Sequence, residues 1–478
     1  MLSLKTKTIK GTIWSAIDGL ANQGVIFIVG LLLARLLSPE EYGLIGYVTI
    51  LISVLNSFVD SGFSNALIRK TDCKSIDYNT TFYFNLAMSI ILFISMYFIA
   101  IPFSKFFNEP QLIAIVRAMS CIVILNALAI VQRTDLVKKI DFKTQTKASA
   151  ISSICSGIIG VLLAYKGFGV WSLVIQQITM QLLRTICFWS LNKWKPKLEY
   201  SWNSFKELFG FGSKLLLSGL IDTIWKEISN LVIGKCYSTS TLGQYTRGQQ
   251  FSNIFSVNMT AVVQRVSYPA LSSIQSDKIR LKNAYRKIIR ISMLISFVFM
   301  FGMIATAKPL IASLIGEKWM EAAEYLQIIC FSSCLYPLHA INLNMLQVQG
   351  RSDLYLKLEI LKKSIAVIPI LLGIFFNIKL MLWGNVIVGI ISFWLNSIFS
   401  GKMIGYSTTS QLKDILPSFS IAAIMAISIF PINYFNFPSI GTLCIQIIVG
   451  ACMVIFLGEI FKLPEYLELK NIVLNHIK

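Results

Sequence analysis

The sequence predicts an all-α polytopic membrane protein of about 14 transmembrane helices: two six-helix lobes related by an internal repeat, plus two C-terminal helices. Three observations predict it. First, of 478 residues 55% are apolar and 14% are charged, against about a quarter charged in soluble domains. A water-soluble fold has no interior large enough to hide that much apolar surface. Second, uncharged apolar runs recur from end to end. Each holds about 20 residues or more, enough to cross roughly 30 Å of hydrocarbon at 1.5 Å per residue. Third, one polar turn between apolar runs occurs twice. Ala34-Arg35-Leu36-Leu37-Ser38-Pro39-Glu40-Glu41-Tyr42-Gly43 is echoed by Gly234-Lys235-Cys236-Tyr237-Ser238-Thr239-Ser240-Thr241-Leu242-Gly243. Arg35 and Lys235, Ser38 and Ser238, and Gly43 and Gly243 take matching places. A second echo pairs Arg133-Thr134-Asp135-Leu136, after the fourth run, with Arg351-Ser352-Asp353-Leu354, after the tenth. Internal repeats of this kind are a common build for membrane transporters.

Taken in order, the chain starts with Lys5, Lys7 and Lys10 before an apolar run. That run is long for a secretory signal and lacks a small-residue cleavage site, so it reads as the first membrane helix. With it, fourteen spans lie at 12–37, 43–67, 79–104, 110–132, 146–166, 168–191, 211–236, 241–268, 284–312, 322–348, 354–376, 379–401, 413–434 and 438–461. The first lobe covers 1–200 with helices one to six. The second covers 201–406 with helices seven to twelve. Residues 407–478 hold the last two helices and a cytoplasmic tail.

Orientation follows from Lys and Arg. With both termini in the cytoplasm, 32 of the 43 basic residues fall in inside segments and 7 in outside turns. Four lie within spans: Arg117, Arg184, Lys226 and Arg247. The alternation holds across all fourteen spans, which a missed or invented helix would scramble. The net charge of +20 is therefore a topology signal and a fit to an anionic inner leaflet, not a nucleic-acid footprint. The longest connection, 192–210, mixes Trp194, Trp202, Phe205 and Phe209 with Lys193, Lys195, Lys197 and Lys206. It suits a short amphipathic linker on the cytoplasmic membrane surface, where the two repeats meet.

Enzyme and cofactor signals are lacking in the sequence. The nine cysteines include no Cys-x-x-Cys pair, and Cys330 and Cys334 read as small apolar packing on one helix face. Two isolated histidines, His339 and His476, make no metal or catalytic cluster. No phosphate-binding Gly-rich loop or nucleophile motif is found.

Ionisable residues inside spans are costly, so they face cavities or one another. The cations are Arg117, Lys226 and Arg247; Arg184, near the cytoplasmic end of its helix, is expected to snorkel. The acids are Asp18, Asp60, Asp222 and Glu227, with Asp18 and Asp222 at similar depth in the two repeats. Asp222 and Lys226 are spaced to neutralise each other on one helix face. Asp60, before Ser61-Gly62, is placed to cap amides where a helix opens. Arg247 sits amid Gln244, Tyr245, Gln249, Gln250, Ser252 and Asn253, a helix start polar enough to line a cavity. Arg117 has no polar escort.

The segment Leu33 to Gly43 resembles the first signature of bacterial polysaccharide transporters of the Wzx type, in the multidrug/oligosaccharidyl-lipid/polysaccharide exporter superfamily. Val59-Asp60-Ser61-Gly62-Phe63, Leu242-Gly243-Gln244-Tyr245-Thr246-Arg247-Gly248 and Tyr268-Pro269-Ala270-Leu271-Ser272 agree with it. So do Gly316-Glu317-Lys318-Trp319 and Gln349-Gly350-Arg351-Ser352-Asp353-Leu354. The ordered set is most similar to the branch that includes the colanic-acid exporter. Relatives often carry an Asp before the Ile-Gly that ends the seventh helix; here Ser229-Asn230-Leu231-Val232-Ile233-Gly234 has none.

The resemblance implies two lobes facing each other in a V and no enzymatic cofactor. It implies translocation of undecaprenyl-pyrophosphate-linked oligosaccharide from the cytoplasmic to the periplasmic leaflet of the bacterial inner membrane, for exopolysaccharide, capsule or O-antigen assembly. Partners are then the lipid-linked oligosaccharide, membrane lipids, a coupling proton or sodium ion, and the polymerase and chain-length proteins of the same assembly. On this reading Arg247, Arg117, Arg35 and Lys226 contact the pyrophosphate or acidic sugars. The coupling ion falls to Asp18, Asp60, Asp222 or Glu227. Two other readings stay open. Cation-coupled multidrug exporters share the superfamily, but usually have twelve helices and an acidic cavity. A membrane polymerase or ligase would show a long outer loop or paired carboxylates beside one; the outer acid pairs here, Glu40-Glu41 and Glu321 with Glu324, are explained as solvated turn residues.

Overall fold

The computed structural model describes residues 22–477 apart from 61, 71 and 436. Asp18 lies outside the described residues. The secondary structure is helical, with no strand among the described residues. Every expected span has a helical counterpart. Among the described residues, ten helical stretches are long and apolar enough to cross a membrane by length and composition. The described part of the first span is a shorter helix, α1 (Asn22–Leu36).

The chain separates into two compact units, Met1–Gly243 and Gln244–Lys478. The first described helix of the first unit is α1. The second span is broken into α2 (Pro39–Asp60) and α3 (Phe63–Arg69), and the third is α4 (Ser75–Phe107). The fourth divides into α5 (Leu112–Met119) and α6 (Cys121–Lys138). Then come α7 (Phe142–Tyr165), α8 (Val170–Leu191) and α9 (Trp202–Cys236), while α10 (Thr239–Ser272) starts in this unit and runs into the next. Helix α9 packs along α2, α3 and α4, and α6 packs against α4 and α8. Exposed apolar residues such as Ile90, Ile91, Ile94 and Phe98 line the outer side of α4, as a lipid-facing surface requires.

The repeated polar turn has the same form in both copies. Each leaves two non-helical residues, Leu37-Ser38 and Tyr237-Ser238, between helices. The serine caps the following helix both times. The Glu41 amide donates to Ser38 Oγ at 3.4 Å and the Ser38 amide to Glu41 Oε2 at 2.6 Å, a reciprocal capping box. The Thr241 amide donates to Ser238 Oγ at 3.1 Å. The matching glycines let the two helix starts cross at contact distance. A Cβ on Gly43 would lie 1.9 Å from the Thr239 carbonyl oxygen, and one on Gly243 would lie 1.9 Å from that of Pro39. The Tyr47 hydroxyl reinforces this end of the unit by donating to the Gly234 carbonyl at 3.0 Å.

The other end of α2 breaks where Asp60-Ser61-Gly62 suggests. Gly62 adopts a left-handed conformation (φ 72°). A Cβ there would meet the Gly212 carbonyl oxygen of α9 at 2.3 Å, so the break also sets a close helix crossing. The Asp60 carboxylate accepts from the Ser64 amide at 3.2 Å and from its hydroxyl at 2.5 Å, capping α3 as expected.

The connection between α8 and α9 is an extended strap over 192–201, followed by an aromatic first stretch of α9. Buried side chains hold the strap. Asn79 Oδ1 accepts from the Lys197 amide at 3.1 Å, and Asn79 Nδ2 donates to Glu199 at 3.2 Å. Thr80 Oγ1 accepts from the Ser201 amide at 3.1 Å, and Gln132 Nε2 donates to the Trp194 carbonyl at 3.1 Å.

The second unit is built on α11 (Lys278–Leu314). Around it stand α12 (Met320–Ser333), α13 (Tyr336–Val348), α16 (Ile378–Ile404), α17 (Thr408–Ile429), α18 (Ser439–Ile460) and α19 (Pro464–Ile477). The eleventh span is split into α14 (Ser352–Ile365) and α15 (Val367–Phe375). Buried Tyr285, Asn342, Ser400 and Gln411 form one hydrogen-bond network, with Tyr285 donating to Asn342 Oδ1 at 2.8 Å and Asn342 Nδ2 donating to Gln411 at 3.2 Å. Arg286 forks onto Asp414 at 2.5 and 2.6 Å. Glu465 of α19 meets Arg290 at 3.1 Å and accepts from Ser418 at 2.9 Å.

The second echo of the repeat is not matched in structure. Gly350, at φ 70°, ends the helix before Arg351. The first copy has Gln132 there, and α6 continues through Arg133 to Lys138.

Candidate functional site

The first unit holds a polar cavity of about 480 Å³. Its walls come from five helices. α2 gives Asn56, Ser57 and Asp60, and α3 gives Asn65. α6 gives Asn126, Ile130 and Arg133, α8 gives Gln181 and Arg184, and α9 gives Leu215, Leu216 and Gly219. In an apolar helical unit this concentration of carboxamide and charged groups is the outstanding chemical feature. Asn126 Nδ2 donates to Asn56 Oδ1 at 2.8 Å, joining α6 to α2. Ser57 Oγ lies 3.2 Å from Thr223 Oγ1 of α9. Thr134 Oγ1 donates to Ser64 Oγ at 3.1 Å, which in turn donates to Asp60. The cavity wall at Asp60 is thus fixed through two hydroxyls to α6.

Of the residues singled out from sequence, Asp60 lies in this cavity. Arg133 and Arg184 join it there, although sequence alone casts one as a loop cation and the other as a snorkelling one. Arg117 packs on Tyr97, its guanidinium carbon 3.9 Å from the ring centre and its Nε donating to the Tyr97 carbonyl at 3.2 Å. That carbonyl is beside the gap that Pro102 leaves in the hydrogen-bond ladder of α4. Arg35, Asp222 and Lys226 are exposed. Glu227 accepts from Asn230 Nδ2 at 2.7 Å.

Arg247 lies in the second unit and is 7% exposed. It donates to Gln250 and stands 6.0 Å from the centre of the Trp319 ring. One polar neighbour, Gln244, serves helix packing. Gln244 Nε2 donates to the Lys318 carbonyl at 2.7 Å, and Gln244 Oε1 accepts from the Ala322 amide at 3.0 Å. Gly248 allows α10 to touch α12, where a Cβ would come within 2.9 Å of the Ala322 carbonyl oxygen.

A family model described as polysaccharide biosynthesis protein matches residues 32–324. The chain belongs to this family. Among its relatives, the teichuronic acid biosynthesis protein TuaB of Bacillus subtilis is 22% identical over 96% of both chains. The succinoglycan biosynthesis transport protein ExoT of Rhizobium meliloti is 25% identical over 69% of this chain and 67% of its own. The lipopolysaccharide biosynthesis protein WzxC of Escherichia coli is 20% identical over 78% and 76%. Among solved structures, the lipid II flippase MurJ in an inward closed conformation is similar over 95% of this chain and 98% of its own, with a TM-score of 0.75 and 16% identity. An inward-facing multidrug transporter of the MATE family is similar over 82% and 100%, with a TM-score of 0.61 and 16% identity. These two likenesses are of fold.

Membership of the family makes the chain a multi-pass membrane protein of polysaccharide biosynthesis, and it sharpens the cavity's chemistry. Two guanidinium groups suit oxyanions, since their planar forks match phosphate and carboxylate oxygens. The carboxamides suit hydroxyl groups, for which they offer both donors and acceptors.

Proposed function

We propose that the chain carries undecaprenyl-pyrophosphate-linked oligosaccharide from the cytoplasmic to the periplasmic leaflet of the bacterial inner membrane by alternating access, with both termini in the cytoplasm. The observation that carries this reading is the polar cavity of the first unit, where Arg133 and Arg184 accompany Asp60. A diphosphate cannot cross hydrocarbon unescorted, because the charged group loses its water. Cations in a wet cavity replace that hydration, while the lipid tail stays in the bilayer. Arg247, Arg117, Arg35 and Lys226 remain proposed contacts for the anionic group at other stages of transport. Asp60 is the proposed acid for a coupling proton or sodium ion within the cavity, with Asp222, Glu227 and Asp18 as further candidates. The polymerase and chain-length proteins of the same assembly are proposed partners.

The test is export in a strain lacking the chain, with the lipid-linked intermediates extracted and assigned to a leaflet. Complete repeat units held on the cytoplasmic leaflet are expected. Repeat units that reach the periplasm and stay unpolymerised would instead place the function at polymerisation or ligation.

A further inference from the structure

We propose that the Asn56–Asn126 pair reads hydroxyl groups of a sugar ring, which makes the cavity of the first unit a saccharide site; the inference rests on the chain carrying a lipid-linked oligosaccharide. The bond from Asn126 Nδ2 to Asn56 Oδ1 measures 2.8 Å. It leaves the Asn56 amide group as a donor and the Asn126 carbonyl oxygen as an acceptor, on two bonded residues that both line the cavity. Neighbouring hydroxyls of a pyranose each donate and accept, so a donor beside an acceptor fits a pair of them. Gln181, 9% exposed, and Asn65 bring two more carboxamides to the same cavity. One Asn–Asn bond would suffice to tie α2 to α6. Four carboxamides around one space need a further reason, since polar groups are costly at membrane depth.

Position supports the assignment. Asn126 is seven residues before Arg133 on α6, about 10 Å along the helix at 1.5 Å per residue. An anionic group held at Arg133 would therefore place an adjoining sugar at the level of the Asn pair. The α9 wall offers Leu215 and Leu216 to the apolar face of a ring. The volume of about 480 Å³ falls within the roughly 300–1,000 Å³ of small-molecule sites.

The experiment uses the full chain in proteoliposomes and two probes. One is the lipid-diphosphate saccharide pool extracted from a strain lacking the chain. The other is the same lipid diphosphate without sugar. Transbilayer movement of each is measured for the parent, Asn56→Leu, Asn126→Leu and the milder Asn126→Ser, with thermal unfolding as the check on folding. The expected result is a loss of at least ten-fold for the saccharide probe, with the bare diphosphate unchanged and the unfolding temperature of Asn126→Ser held. Equal losses for both probes, or none for either, would overturn the saccharide site while leaving the carrier reading intact. A parent that moves neither probe would overturn the carrier reading, and the saccharide site with it.

Discussion

Gly43 and Gly243 hold reciprocal places in one helix crossing: each faces a backbone carbonyl of the other's helix start, Thr239 for Gly43 and Pro39 for Gly243. The sequence repeat is thereby expressed as a local two-fold contact. Replacing either glycine by alanine puts a methyl group 1.9 Å from an oxygen that belongs to the backbone, so the helices must part. The expected cost is about 1–3 kcal/mol, typical of overpacking, read as a lower unfolding temperature in detergent. The two variants should behave alike. A fall confined to one of them would show that the reciprocity is geometric only.

Ser38 and Ser238 cap equivalent helices with different support. Ser38 has the returning carboxylate of Glu41; Ser238 has the hydroxyl of Thr241 at 2.9 Å. Ser38→Ala is expected to cost about 1 kcal/mol, and Ser238→Ala less, because its cap is exposed. Paired thermal unfolding curves would rank the two.

Arg133 and Arg184 should separate from Arg247 in mutagenesis. Alanine at either cavity position should reduce export roughly 10- to 100-fold, the worth of one charge-assisted hydrogen bond, with little change in membrane abundance. Lysine at these positions should restore only part, since it lacks the planar fork. Arg247→Ala should also lower thermal stability, because Gln250 and Trp319 lose a buried neighbour. Export and unfolding temperature measured on the same variants would decide whether the three arginines fall into these two groups.

Arg351 and Asp353 form an exposed pair at 2.8 Å. The Arg351 guanidinium holds the Asp353 carboxyl down to about 2. A carboxyl whose folded value is depressed stabilises the fold above its ordinary value of 3.8, and that contribution fades as pH falls through about 2. Carbon NMR of labelled aspartate should show a midpoint near 2 for Asp353, moving upward in Arg351→Gln. An unchanged midpoint in that variant would remove the pair as the cause.

Glu465, 2% exposed, clamps α19 to Arg290 of α11 and Ser418 of α17. Glu465→Gln leaves Arg290 facing a neutral group, at an expected cost of about 1–3 kcal/mol. Limited proteolysis should then cut at the Phe461–Leu463 link before α19 faster than in the parent. Equal rates would show that the helix is held by its apolar contacts.

The helical body was legible because membrane helices announce themselves by length, apolarity and the side on which Lys and Arg fall. Smaller features came through where one residue type has one job: Ser38 as a cap, Asp60 before a left-handed Gly62, Gly43 at a crossing. The cavity was less legible. Sequence gives depth along a helix but not which neighbour the side chain meets. Arg133 and Arg184 look like boundary cations until the packing of α8 on α6 brings them to one space. Arg117 lacks polar neighbours in sequence because its partners are a ring and a main-chain carbonyl. Arg247 sits near Gln244, whose partners are backbone groups of the 318–322 turn, while Gln249 turns to the Tyr245 hydroxyl. The break at Ala366 between α14 and α15 has no strong local signal beyond Pro369 nearby.

Helix α9 has 35 residues, about 52 Å at 1.5 Å per residue, and it is clamped near both ends. Gly212 is pressed against Gly62 at one end, behind a strap fastened to Asn79, Thr80 and Gln132. Gly234 is bonded to Tyr47 at the other. The stretch between the clamps, Leu215 to Gly219, is a wall of the cavity. A beam fixed at both ends moves at its centre only by bowing or by slipping a clamp. Any change in the width of the cavity on the α9 side is therefore recorded mechanically at Gly62, itself part of the cavity lining, or at Tyr47 near the other end of the helix.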